Sequence, residues 1–239
     1  MNIKIPKAII FDLDDTLYSY QRCHNLALKK VQMKLANELN IPEEKFNNLY
    51  DQVNKEIKLQ LGKVASSHNK FLYFKKILEK IGFRPYIFTA LDMETLYWQT
   101  FYDNIVPNLG LLDLFETLRL LNIKSGILTN FVAYFQFKKI LHLGVQDYID
   151  HLISSEELGV EKPEPKIFID MLKAIGADLG EVWMVGNSIE EDILPAKEFM
   201  KATTFLMLDE NVKITNKSKA DFVCKNFIFI NKKLLKLHS

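Results

Sequence analysis

The stretch that most constrains this chain is Phe11-Asp-Leu-Asp-Asp-Thr-Leu17, directly after the apolar run Ala8-Ile-Ile10, with the first strand expected over residues 7–11. A short apolar run of this kind reads as a buried strand. Carboxylates at the edge of a core are costly unless something pairs with them. Asp12 and Asp14 stand two residues apart, and extended backbone sends side chains at that spacing to the same side. Two carboxylates can therefore converge where a strand opens into a loop, the place where α/β sheets bind ligands. Aspartates are also ordinary turn residues, so the stretch gains meaning only from the partners the rest of the chain supplies.

From about Tyr20 to Val106 the pattern is helical, with no strand. Leu28, Val31, Leu35 and Leu39 form one stripe. Phe46, Leu49, Tyr50, Val53 and Ile57 form a second, in a helix restarted at Pro42 and ended by Gly62. Ser66 or Ser67 is expected to cap a third helix, which stops at Gly82. Thr89-Ala-Leu-Asp92 has the form of a capping box for a fourth. Four helices with short loops suggest a small bundle. After Pro107 strands and helices alternate. Strands are expected at Ser125–Leu128, His151–Ser154, Glu181–Val185, Thr203–Met207 and Asp221–Cys224. Helices follow Leu111, Phe131 and Lys166, and another starts near Ile193 so that Pro195 falls in its first turn. Such alternation predicts an α/β fold with a doubly wound parallel sheet. The all-helical segment is then an insertion directly behind the acidic loop: residues 1–17 and 107–239 form the core, and residues 18–106 the inserted helical domain.

Bulk properties exclude several classes. Lys plus Arg is 31 against 30 Asp plus Glu, so no basic field invites nucleic acid. No run reaches the roughly 20 apolar residues of a membrane span, and Met1–Lys7 lacks the apolar segment of a signal peptide. Cys23 and Cys224 lack metal-ligand spacing and read as reduced thiols in a cytoplasmic protein. The Lys-rich end, Asn231–Ser239, reads as a solvated terminal helix.

Three further features fall at expected strand ends. Thr129-Asn130 offers a hydroxyl and loop amides to phosphate oxygens. Lys162 lies in Gly159-Val-Glu-Lys-Pro-Glu-Pro165, where two prolines stiffen the loop. Val185-Gly-Asn-Ser-Ile-Glu-Glu-Asp192 offers oxygen donors suited to a hard cation. Singly, each has a plain alternative as turn, surface lysine or helix start.

In this order the four features resemble the haloacid dehalogenase superfamily, with its pattern of DxDx(T/V), a strand ending in Thr or Ser, a Lys, and an acidic GDxxxxD. The resemblance covers essentially the whole chain. It implies a Rossmann-like core with a helical cap domain entering after the first motif. It implies Asp12 as nucleophile, Asp14 as general acid and then base, Thr129 and the Asn130 amide as phosphoryl binders, and Lys162 as the neutralising cation. Mg²⁺ would be held by the Asp12 carboxylate, the Asp14 carbonyl and the residue at 187, with Ser188 in support and Asp192 supporting either Lys162 or a metal-bound water. Asp12 is expected to be ionised, Asp14 to be protonated through nearby negative charge and partial burial, and Asp15 to be structural. One position departs from the pattern: Asn187 stands where the family has Asp, keeping an oxygen and losing a charge.

The implied activity is Mg²⁺-dependent hydrolysis of a small phosphorylated metabolite by a monomer or homodimer. Asp14 favours this over dehalogenation, because halide leaves without a proton and an alkoxide does not. Asn187 keeps open an attenuated or inactive phosphate-binding or regulatory protein. Phe-Asp-Leu-Asp-Asp-Thr-Leu-Tyr18 is close to capped phosphatases that act as nucleotidases, which tilts the expected substrate toward a nucleotide over a sugar phosphate, phosphoglycolate or a cofactor phosphate. Tyr18, Tyr20, His24, Trp98, Phe101 and Tyr102 could meet a leaving group, although aromatics at helical spacing are more often bundle core. His24 reads as a surface residue.

Overall fold

A computed structural model describes residues 3–62, 64–84, 86–208 and 219–238. The chain divides into two compact units, residues 20–105 and residues 1–19 with 106–239. Tyr18 and Ser19 thus belong with the sheet unit, two residues beyond the boundary expected from sequence. Of the terminal segments discussed above, Met1, Asn2 and Ser239 lie outside the described residues.

The second unit is built on six parallel strands in the order β3-β2-β1-β4-β5-β6. They are β1 (Ala8–Phe11), β2 (Lys124–Thr129), β3 (His151–Ser154), β4 (Val182–Gly186), β5 (Thr203–Met207) and β6 (Phe222–Cys224). All four residues of β1 are completely buried, as its unbroken apolar run requires of a central strand covered on both faces. In register, Phe11 lies opposite Ile127 of β2 and Val185 of β4. The chain leaves β1 toward β2 and β3 on one side and later toward β4, β5 and β6 on the other, so the strand order reverses at β1/β4. Crevices at such a reversal, beyond the carboxyl ends of the strands, are ligand sites. Asp12, Thr129 and Asn187 all stand at these ends.

Helices α5 (Leu111–Leu120), α6 (Ala133–Leu143), α7 (Ser155–Leu158), α8 (Pro165–Ile175) and α9 (Phe227–His238) complete this unit. The terminal helix starts at Phe227, ahead of the Lys-rich end, and Phe227, Ile230 and Leu234 are its buried residues; from Asn231 to His238 every residue but Leu234 is exposed or half-exposed, and the Phe227 amide donates to the Leu109 carbonyl at 3.0 Å. Helical winding after β4 begins at Ile189, four residues earlier than Pro195 suggests. Ile189–Ile193 and Ala196–Met200 are wide π turns flanking Leu194-Pro195. A loosened ladder of this kind tolerates a residue without an amide donor in mid-helix. Cys23 and Cys224 are free thiols, both buried, and no described helix is long and apolar enough to cross a membrane.

The helical unit holds α1 (Tyr20–Leu39), α2 (Glu43–Leu61), α3 (Lys70–Lys80) and α4 (Tyr86–Asp103). Two expected caps differ. Ser66 and Ser67 lie in a 3-10 turn, Ala65–His68, and α3 is capped by the Asn69 side chain, which accepts from the Leu72 amide at 3.3 Å. Thr89-Ala-Leu-Asp92 lies inside α4, which starts at Tyr86. Phe46, Tyr50, Phe74, Tyr97, Trp98, Phe101 and Tyr102 pack as an aromatic core. His24 is half-buried beside them rather than on the surface, with Nδ1 2.7 Å from the Tyr97 hydroxyl. Burial, then the nearby charge of Lys70, pushes it from 6.5 down to about 3. The unfolded chain therefore takes up the proton first, and stability falls as pH drops from about 6.5 toward 3. His24→Gln cannot charge and keeps a partner for Tyr97. It is expected to flatten the decline in melting temperature between about pH 6.5 and 4, measured by circular dichroism; an unchanged slope would assign the decline to other groups.

Candidate active site

The amide of Asp12 extends the pairing of β1 by donating to the Val185 carbonyl at 2.9 Å. The strand then breaks into a turn, with the amides of Thr16 and Leu17 donating to the Leu13 carbonyl and Asp15 at φ 57°. Aspartate tolerates that left-handed backbone better than most residues, which gives Asp15 the structural role expected of it. The turn holds Asp12 in the interior, at 6% exposure, and leaves Asp14 partly open.

Asp12 shares a lysine with Asp192. Lys162 Nζ donates to Asp12 Oδ1 at 2.8 Å and to Asp192 Oδ1 at 2.6 Å, and all three side chains are buried. The Thr16 hydroxyl donates to Asp12 Oδ2 at 2.7 Å. Burial pushes the Asp12 carboxyl from 3.8 up to about 6; Lys162 opposes this and Asp192 adds to it. Burial also works to lower Lys162, but the charges of Asp12 and Asp192 outweigh it and leave the ammonium above its ordinary value. Ionised, the cluster has two buried carboxylates to one ammonium, an excess of negative charge that a further cation can offset. Asp192 is fixed in turn by the Ser188 amide, 3.0 Å from Oδ2, while the Ser188 hydroxyl caps the following turn by accepting from the Glu191 amide at 3.1 Å. Gly186 makes room for it, since a Cβ there would lie 2.5 Å from Asp192 Cβ, Cγ and Oδ2.

Asn130 acts through its side chain. Oδ1 accepts from the Lys162 amide at 2.7 Å and Nδ2 donates to the Lys162 carbonyl at 3.2 Å, so the loop after β2 pins the lysine's backbone. Phe131 follows at φ 138°, an uncommon conformation for a bulky residue, with its amide donating to Ser155 Oγ at 2.9 Å. Thr129 is buried at the end of β2.

Asp14 has different neighbours from those expected. In place of negative charge the structure sets a buried ammonium on it: Lys139 Nζ donates to Oδ1 at 2.8 Å and to Oδ2 at 2.7 Å. The Tyr18 hydroxyl also donates to Asp14 Oδ1. Tyr18 is wholly buried and bridges the backbones of Asp14 and Pro107, so it braces the acidic loop instead of facing a leaving group. Gln136 Nε2 donates to Thr129 Oγ1 at 2.6 Å and lies 3.2 Å from the Asn130 carbonyl and 3.4 Å from Asp14 Oδ2. Gln136 and Lys139 escaped the sequence reading. A signal was present, because they share the buried face of α6 with Ile140 and Leu143 at i, i+3, i+4 and i+7. Polar residues in an apolar stripe need partners.

Asn187 is exposed, two residues past Val185, and among the described residues it enters none of these hydrogen bonds. The described residues also hold no group of three His, Cys, Asp or Glu side chains arranged as metal ligands. The oxygens offered at the strand ends are the Asp12 carboxylate, the Asp14 carbonyl and the Asn187 amide. One charged and two neutral oxygens suit a hard divalent ion that keeps several waters, and the excess negative charge of the buried cluster fits the same ion.

Residues 6–199 match the model of the haloacid dehalogenase-like hydrolase family. The chain belongs to this family and is a hydrolase. It is 35% identical over 193 residues, 79% of its length and 80% of the relative's, to ribulose-1,5-bisphosphate 5-phosphatase of Halopiger xanaduensis. It is 30% identical over 201 residues, 83% of its length and 84% of the relative's, to pyrimidine 5'-nucleotidase of Escherichia coli. Its fold matches a family phosphatase from Thermococcus onnurineus at TM-score 0.71 and 25% identity, covering 95% of this chain and 97% of that one.

Two substitutions test the buried cluster. Lys162→Met strands two carboxylates in the interior and should cost ~3–5 kcal/mol, read by urea unfolding. Gly186→Ala should displace Asp192 at a cost of ~1–3 kcal/mol; an unchanged midpoint would mean that Asp192 is not held as described.

Proposed function

We propose that this hydrolase is a Mg²⁺-dependent phosphatase that cleaves a small phosphomonoester in the cytoplasm through an aspartyl-phosphate on Asp12. The observation that carries the reading is the division of Asp12 and Asp14 between two separate lysines. Two carboxylates only two residues apart have different surroundings, the condition for different roles in one reaction.

An Asp12 carboxylate oxygen attacks phosphorus, the bond from phosphorus to the leaving oxygen breaks, and that oxygen takes a proton from Asp14. Asp14 then takes a proton from the water that attacks the phosphorylated Asp12, releasing phosphate and restoring the carboxylate. Lys162 offsets the repulsion between carboxylate and phosphate, and the Thr129 hydroxyl and Asn130 amide bind phosphoryl oxygens. Asp12, the Asp14 carbonyl and Asn187 would hold Mg²⁺, which would supply further charge neutralisation at the phosphoryl group. Asp14 sets this chemistry apart from halide release, which needs no acid.

Substrate selection we assign to the helical unit, inserted directly after the Asp12–Tyr18 loop. One relative is named for a sugar bisphosphate and another for pyrimidine nucleotides, so both classes head the list of candidate substrates. Asn187 favours a second reading, a site attenuated in metal binding or activity, because it removes one charge from the cation's donors.

Phosphate release from 4-nitrophenyl phosphate and a panel of sugar phosphates and nucleotides is the test. Asp12→Asn is expected to abolish turnover in Mg²⁺; a wild type no faster than Asp12→Asn under several metals would refute the proposal. Asn187→Asp is expected to tighten Mg²⁺ binding by about tenfold, one added ligand charge being worth roughly 1–2 kcal/mol. A rate gain of orders of magnitude in that variant would instead favour the attenuated site.

A further inference from the structure

We propose that Gln136 and Lys139 of α6 are positioning residues of the reaction, Gln136 turning the Thr129 hydroxyl into a donor toward the phosphoryl group and Lys139 holding the Asp14 carboxyl for proton transfer. The inference rests on the phosphatase reading and extends it to side chains outside the four motifs.

The orientation of Gln136 is forced. Its nitrogen faces Thr129 Oγ1, the Asn130 carbonyl and Asp14 Oδ2. The Asn130 carbonyl accepts only, as does Asp14 when ionised, so the reversed amide would set oxygen against oxygen. An amide nitrogen only donates, so Thr129 Oγ1 accepts from it and directs its own hydrogen elsewhere: here it reaches the Asn130 carbonyl across a long 3.4 Å, a contact a phosphoryl oxygen would replace. The side chain is wholly buried, and its Oε1 has no hydrogen-bond partner among the described residues. A buried amide oxygen without a partner is unfavourable, so stability alone is a poor account of a glutamine here.

Lys139 is also wholly buried and meets both oxygens of Asp14, with the Tyr18 hydroxyl on the same carboxylate. The i, i+3 spacing of the two residues places them on one face of α6. As Asp14 gives its proton to the leaving oxygen, negative charge develops on the group that Lys139 already contacts. Preorganised charge at such a point lowers a barrier.

The test compares kcat/KM for an aryl phosphate, whose leaving group needs little protonation, with that for an alkyl phosphate, whose leaving group needs a full proton. Lys139→Met is expected to lower the alkyl value at least tenfold more than the aryl value, and Lys139→Arg to keep the wild-type ratio. Gln136→Leu is expected to lower both values alike and to weaken competitive inhibition by inorganic phosphate. A purely structural pair would lower both esters equally in every variant and leave inhibition by phosphate unchanged, and that result overturns the inference. Should Lys139→Met fail to fold, Lys139→Gln reads the same ratio. A wild type that cleaves neither ester overturns the phosphatase reading, and the inference with it.

Discussion

Everything at the carboxyl end of this sheet depends on one buried ammonium, Lys162, shared between Asp12 and Asp192. It ties the loop after β1 to the turn after β4, and Asn130 ties its backbone to the loop after β2. Three strand ends that are distant in sequence are locked to one point. Removing such charges from water costs several kcal/mol per ion, and an apolar replacement is often as stable. The arrangement is therefore better understood as positioning than as stabilisation. With two carboxylates to one ammonium it also holds, when ionised, an excess of negative charge that a further cation can offset.

A second ammonium, Lys139, does for Asp14 what Lys162 does for Asp12, without joining the two. Burial lowers Lys139 and the Asp14 charge opposes that shift. Because each carboxylate has its own counter-ion from a different element, one can lie deep and the other partly open only two residues away. A single shared lysine would give both the same surroundings, and the loop would lose the asymmetry on which the proposed division of roles rests.

Much of this was legible in the chain because it is local. A strand end is marked by an apolar run meeting polar residues, and Asp12, Thr129, Lys162 and Asp192 follow such runs directly or within a short loop. The union of Lys162 with Asp192 followed as one of two roles open to that acid. What stayed hidden was helical. Gln136 and Lys139 lie on a helix face, where their partners depend on how α6 packs, and spacing along the chain does not encode that. The caps failed for a related reason: Ser66, Ser67 and Asn69 are all competent by type, and the 3-10 turn at Ala65–His68 moves the start of α3 to Asn69. Pro195 misled because the rule against mid-helix proline presumes a regular α ladder, and here the turns are wide.

The same geometry bears on how selectivity can arise. On the proposed reading, Asp12, Lys162, Thr129 and Asn130 would meet the phosphoryl group and nothing beyond it, and would bind every phosphomonoester alike. Uniform binding of that kind cannot discriminate between substrates. In the helical unit, Trp98, Phe101 and Tyr102 pack on one another and on Tyr97 as core, which spends their apolar surface on holding the bundle together. Tyr20 and His24 stack against each other at 5.7 Å and keep part of their surface exposed. They lie at the start of α1, directly after the loop that carries Asp12 and Asp14. In the bundle, then, apolar surface not spent on packing lies at such half-buried positions rather than in the aromatic stripe that first draws the eye.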